Sequence, residues 1–172
     1  YEDALIAIGD VAERHSYDLA AQWFEQAAKR GHPGGMFQLG MALCDDEAAR
    51  PLWEEAARLG NVDSMTALGF ALSEESPEES RAWYEKAASL GDANAMNRLG
   101  VIASQTGDTV TAREWWERAA VVDHEVAMWH LGRLALADGD RVAARRWFEK
   151  SAALGEQYAQ EALVELDEGY PS

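Results

Sequence analysis

One phrase recurs along the whole chain. At Arg81 to Gly100 it reads RAWYEKAASLGDANAMNRLG. It returns as AQWFEQAAKRGHPGGMFQLG, PLWEEAARLGNVDSMTALG, REWWERAAVVDHEVAMWHLG and RRWFEKSAALGEQYAQEALV. The break after each alanine pair falls at Gly31, Gly60, Gly91, Asp123 and Gly155, in steps of 29, 31, 32 and 32 residues. A period of this size marks a stacked array of small units, none of which buries its own apolar face alone. The expectation is one repeat domain over 1–172, all-α, an array of five helix pairs and a C-terminal helix. The chain starts at Tyr1 and not at methionine, which fits a segment of a longer protein.

Composition narrows the partners. Acidic residues outnumber basic ones 31 to 15, a formal charge of −16. Phosphate backbones and anionic membrane surfaces repel such a chain, so neither nucleic acid nor membrane is an expected partner. Cys44 is the single cysteine, which excludes an internal disulfide and a cysteine metal cluster and suits packing as a small apolar residue. No apolar run is long enough to span a bilayer and no signal peptide is visible, so the expected compartment is cytoplasmic. Twelve arginines against three lysines fit a GC-rich bacterial genome.

Helical periodicity predicts segments at 2–14, 17–30, 33–44, 47–59, 62–73, 77–90, 93–105, 109–121, 124–137, 140–154 and 157–168. Gly91-Asp92, Gly107-Asp108 and Gly139-Asp140 each set a helix-ending glycine before a capping aspartate. Ser76 to Glu79 reads as a capping box with Pro77 in the first helical position. Pro51 predicts a displaced helix start, because it lacks a backbone donor. Trp83, Ala87 and Leu90 share one helix face, and Tyr84 and Ala88 form the adjoining stripe. The glycines at 9, 40, 69, 100 and 132 each cost about 1 kcal/mol against alanine in a helix, which argues for a close helix crossing at each. Gln160 and Val164 replace the expected methionine and glycine in the last segment, and this predicts a capping helix with a polar outer face.

The pattern of an aromatic pair, a double alanine and glycine, then Met and Leu-Gly, resembles the Sel-one-like repeat family of the tetratricopeptide-repeat superfamily. Trp23-Phe24, Trp83-Tyr84, Trp115-Trp116 and Trp147-Phe148 carry the resemblance. So do Met36, Met65, Met96, Met128 and the Leu-Gly pairs at 39–40, 68–69, 99–100 and 131–132. Trp53 is read as the first aromatic of its pair, with Glu54 in place of the second. The loop within each unit has tetratricopeptide-like length, so the spacing is a hybrid. The resemblance implies a right-handed solenoid that acts as a non-catalytic adaptor and holds a protein or peptide on its concave side. The alternative is a regulatory or self-association segment of a larger enzyme or signalling protein.

The residues give no enzyme constellation. The four histidines, His15, His32, His124 and His130, share no helix face, and no metal, phosphate-loop or nucleophile motif is present. No catalytic residue, cofactor or metal ligand is expected, and the acidic runs read as caps and solvated loops. Trp23, Trp83, Trp115 and Trp147 read as core.

The resemblance places the groove on the first helix of each pair, at the residue after the methionine and about one turn beyond. That selects Phe37, Met41 and Cys44; Thr66, Phe70 and Ser73; Asn97, Val101 and Ser104; and Trp129, Arg133 and Leu136. Phe37, Phe70 and Trp129 are the expected apolar anchors, with Asn97 and Arg133 setting register across several repeats. The lysines of a terminal-carboxylate clamp are missing. The acidic surround predicts a partner with basic flanks.

Overall fold

The structure, a computed structural model, describes Ile6, residues 17–43 and residues 45–168. The expected first helix over 2–14, with Gly9 and His15, and Cys44 lie outside the described residues apart from Ile6. The described residues form ten α-helices and no strand: α1 (Tyr17–Lys29), α2 (Pro33–Leu43), α3 (Asp46–Arg58), α4 (Val62–Ala71), α5 (Pro77–Ser89), α6 (Ala93–Gln105), α7 (Thr109–Val121), α8 (Glu125–Ala137), α9 (Arg141–Ala153) and α10 (Gln157–Glu168). They divide into two compact units, residues 1–90 with α1–α5 and residues 91–172 with α6–α10. Within each unit, every helix packs on its neighbours in sequence. Short connections make consecutive helices antiparallel.

The punctuation works largely as the sequence implies. Asp92, Asp108 and Asp140 each accept a backbone N–H three residues on, at 2.6, 3.0 and 2.9 Å. The inter-repeat turns take a left-handed residue, with φ between 80° and 102° at the glycines and 60° at Asp123. Two expectations fail locally. Ser76 makes no side-chain cap, although Pro77 does open α5. The start of α3 is not displaced: Asp45 caps it through the N–H groups of Glu47 and Ala48 at 3.0 and 3.3 Å, and Pro51 sits inside the helix. The cap and the acidic first turn of Asp46 and Glu47 favour this start. They outweigh the one hydrogen bond that proline forfeits.

A fixed column of buried residues runs through the odd-numbered helices. In the first unit it reads Ala20–Phe24–Ala27, Ala49–Trp53–Ala56 and Ser80–Tyr84–Ala87; in the second, Ala112–Trp116–Ala119 and Ala144–Phe148–Ser151, all buried. Steps of four and three keep these residues on one face. The column corrects the register of Trp53. It stands four residues after Ala49 and three before Ala56, so it is the second aromatic, and half-buried Leu52 takes the place of the first. The column also corrects the stripe. Tyr84, Ala87 and Ala88 are buried, whereas Trp83 is only half-buried and Leu90 is exposed. The outer tryptophans carry a cation instead: Lys86 over Trp83 at 4.0 Å, Arg118 over Trp115 at 4.2 Å and Lys150 over Trp147 at 4.7 Å. They are flanking side chains, not core.

The helical glycines seat these rings. A Cβ at Gly40 would lie 2.3 Å from Trp53, at Gly69 2.7 Å from Tyr84, at Gly100 2.4 Å from Trp116 and at Gly132 2.4 Å from Phe148. The expected crossing of backbones at these glycines is therefore a crossing of a ring over a backbone. Backbone truly meets helix at Gly35, where a Cβ would stand 2.9 Å from the Ala28 nitrogen.

In α10, Ala159 is buried, and Ala162, Leu163 and Leu166 pack on a cluster of Ala135, Ala144 and Phe148 with Trp129. Val164, in the place of the ring-seating glycine, is exposed. Charged pairs stitch α3 to the loop beyond α4, α7 to the end of α8 and α9 to α10: Arg50–Glu75 at 2.7 Å, Arg113–Asp138 at 2.6 Å and Arg145–Asp167. Exposed pairs of this kind each contribute between nothing and about 1 kcal/mol.

Candidate interaction surface

The glycine-bearing helices α2, α4, α6 and α8 turn one side to the odd-numbered helices. The residues one position after each methionine, and four further on, flank that buried side. In the first unit Phe37 and Thr66 are half-buried, while Met41 and Phe70 are 53% and 59% exposed. The Phe37 carbonyl accepts a hydrogen bond from Trp53 Nε1 at 3.3 Å, which ties that turn of α2 to α3. Ser73 is exposed and donates its hydroxyl to the Phe70 carbonyl at 2.7 Å. Glu74 and Glu75 are exposed just beyond, and the Arg50 guanidinium holds the Glu75 carboxyl below its ordinary range.

In the second unit Asn97, Val101, Trp129 and Leu136 are half-buried, and Ser104 and Arg133 are exposed. The Asn97 Oδ1 atom is shut off from solvent and has no hydrogen-bond partner among the described residues. That is a poor match to a register-setting contact in its present rotamer. Trp129 sits among rings: His130 edge-on at 4.9 Å, Tyr158 tilted at 5.8 Å, and the Arg133 guanidinium 4.9 Å above its face. Tyr158 is 63% exposed and was not among the sequence candidates. It stands just before Ala159, the α10 counterpart of buried Ala127, and that register was the signal for it.

Behind Arg133 an open pocket of about 200 Å³ lies between α6, α7 and α8, lined by Ser104, Trp116, His130, Arg133, Leu134 and Ala137. His130 stacks on Trp116 with ring centres 4.6 Å apart and planes 9° from parallel. Burial, then the positive charges of Arg133 and His124, lower its pKa to about 4, so the ring is neutral near pH 7. His124 caps α8 through its Nδ1 and the Ala127 N–H at 3.2 Å. Among the described residues no group of three His, Cys, Asp or Glu side chains could hold a metal ion. None of the described helices is long and apolar enough to cross a membrane.

The comparisons agree with this geometry. The Sel1 repeat model matches residues 8–32, 34–61, 63–92, 93–120 and 124–156. No curated protein matches the chain. Among solved structures, a Sel1 repeat protein from Oxalobacter formigenes is 21% identical, with a TM-score of 0.87 over 95% of this chain and 77% of that one. The protective antigen c5321 of uropathogenic Escherichia coli, which displays an SLR fold, is 25% identical with a TM-score of 0.75; the match covers 99% of this chain and 42% of that one. The chain thus spans less than half of that antigen. PilF of Pseudomonas aeruginosa is 17% identical with a TM-score of 0.79, over 97% of this chain and 83% of that one. At 21% and 17% identity the likeness is one of fold. With five consecutive matches over most of its length, the chain is an all-α helical solenoid and belongs to the Sel1 repeat family.

Proposed function

We propose that this chain is a non-catalytic scaffold that binds a protein or peptide on the exposed side of its glycine-bearing helices. Sel1 repeat proteins are generally protein-interaction scaffolds, and that is the ground for the class. The observation that carries the choice of face is the exposure of Met41 and Phe70 at one register of two successive glycine-bearing helices, α2 and α4, within the first unit. Large apolar side chains at matched positions in a repeat are the anchors such a surface needs. Phe37 and Thr66 lie on that side of their own helices in the first unit; Asn97, Val101, Trp129 and Arg133 hold the equivalent positions on the helices of the second unit. The partner carries an apolar anchor with basic flanks, because the chain has a formal charge of −16 and acidic Glu74 and Glu75 border Phe70. Salt then slows association.

Trp129→Ala tests the second unit. As a binding anchor, its loss weakens partner affinity by about 2 kcal/mol. Half-buried against α10, it also contributes to stability, so melting temperature and affinity are measured on the same variant. Unchanged affinity beside a large loss of stability would make Trp129 a packing residue only.

A further inference from the structure

The outer face of α9 differs from the rest of the chain in its charge. Arg141, Arg145, Arg146 and Lys150 are four of the 15 basic residues, and Glu149 is the single acid on that helix. Two of the four turn toward α10: Arg145 pairs with Asp167, and Arg141 donates to the Leu166 carbonyl. Arg146 and Lys150 instead flank half-buried Trp147, and among the described residues no ion pair includes either. Lys150 lies over the Trp147 ring. An open depression of about 560 Å³ adjoins them, lined also by Ala143, Glu149 and Ala153. Like charges four residues apart destabilise an isolated helix. The other outer tryptophans avoid such a pair. Ala82 precedes Trp83 and Glu114 precedes Trp115, so each has only the cation over its ring, Lys86 or Arg118.

Ala143, Arg146, Trp147 and Lys150 stand at i, i+3, i+4 and i+7, the spacing of a helix face that docks in a groove. They set an apolar anchor between two cations. The glycine-bearing side of the first unit offers the complement. Met41 and Phe70 are exposed there, Glu74 and Glu75 border Phe70, and exposed Glu78 and Glu79 open α5. Arg50 pairs with Glu75, and among the described residues no ion pair includes Glu74, Glu78 or Glu79.

We propose that the partner is a second copy of this chain, whose α9 outer face docks on the Met41–Phe70 side of the first unit. Trp147 of one copy packs against Phe70 and Met41 of the other, and Arg146 and Lys150 face the acidic edge at Glu74. The two patches differ, so the contact is heterologous. A pair of copies keeps one unused patch of each kind, and assembly continues unless a ring closes. Two copies of charge −16 repel at a distance. At about 0.15 M salt the screening length is about 8 Å, so the charges at the contact decide. The inference rests on the scaffold reading above and names its partner.

Sedimentation velocity of the full chain over a range of concentrations tests it, on the wild type, Arg146→Glu, Lys150→Glu, Phe70→Ala and Lys86→Glu. Lys86→Glu changes the net charge as much as the α9 variants do, at the matching position of α5. All four side chains are exposed, so melting temperatures stay near the wild-type value. The expected wild-type mass rises with concentration. Arg146→Glu, Lys150→Glu and Phe70→Ala each weaken association about tenfold or more, and Lys86→Glu less than about twofold. Arg146→Glu mixed with Phe70→Ala forms a 1:1 complex and nothing larger, because each supplies the patch that the other lacks. A wild type that stays monomeric at every concentration overturns the second copy as partner. So does association that Arg146→Glu and Lys150→Glu leave intact or that Lys86→Glu weakens equally, and so does a mixture that forms no complex. The scaffold reading has its own arm: short peptides selected from a random library on the full chain, titrated against the wild type and Phe70→Ala. With a monomeric wild type, peptides that lose affinity on Phe70→Ala keep that reading standing. Peptides indifferent to it, or a library that yields no binder, overturn that reading as well.

Discussion

Gly132 lies under the ring of Phe148, so close that a Cβ on the glycine would stand 2.4 Å from Phe148 Cε1. Phe148 is fully buried and cannot swing aside. Gly132→Ala gains about 1 kcal/mol of helix propensity, but forcing the ring out of its seat costs about 1–3 kcal/mol. The expected result is a net loss of up to about 2 kcal/mol by urea unfolding. Pairing the change with Phe148→Leu recovers part of it, because the two residues share one space. Stabilisation by Gly132→Ala alone would mean that the ring is not fixed there.

Asp123 holds a left-handed backbone, φ 60°, where the other inter-repeat turns have glycine. The conformation is strained for a residue with a Cβ. Its carboxylate also sits at the C-terminal end of α7, against the helix dipole. Asp123→Gly therefore raises stability by about 0.5–1 kcal/mol. A fall in melting temperature would show that the carboxylate makes a contact worth more than the strain.

His130 titrates at about 4 in the folded chain and near 6.5 when unfolded. Between these values the unfolded chain binds the extra proton. The contribution of His130 to stability is thus full above pH 6.5 and is lost as pH falls toward 4. Many carboxylates titrate at the lower end of this window, so the test is a difference. The urea midpoint of His130→Gln minus that of the wild type becomes more positive between pH 7 and pH 4.5. A difference that stays constant would mean that the ring protonates freely while stacked on Trp116.

Much of the fold was legible because each repeat restates the same constraints. Every described helix boundary falls within two residues of its sequence reading. The misreadings came where one residue type can fill two places. Trp53 looks like the other leading tryptophans, and only its distance from Ala49 and Ala56 puts it in the buried column. A doublet such as Trp83-Tyr84 does not say which ring goes inside; the seat at Gly69 decides for Tyr84. Pro51 looks like a helix boundary until the cap at Asp45 is weighed against it. The surface was less legible still. Phe37 and Phe70 were read as equal anchors, yet they stand at different registers: Phe37, directly after its methionine, is half-buried like Thr66, and Phe70, four positions further on, is exposed like Met41. Tyr158 was missed because α10 has lost the methionine and glycine that mark its register.

Two exposed apolar side chains in the first unit separate the glycine-bearing side from the rest of the surface. Phe70 on α4 is 59% exposed and Leu90 at the end of α5 is 58% exposed, so replacing either by alanine removes little buried area. The decisive measurement is peptide affinity, by titration calorimetry, for Phe70→Ala and Leu90→Ala alongside their melting temperatures. The expected result is an affinity loss of about 2 kcal/mol for Phe70→Ala, none for Leu90→Ala, and little change in melting for either. Loss of affinity in Leu90→Ala with Phe70→Ala unaffected would place binding on the inter-repeat edge and contradict a scaffold that works through its glycine-bearing helices.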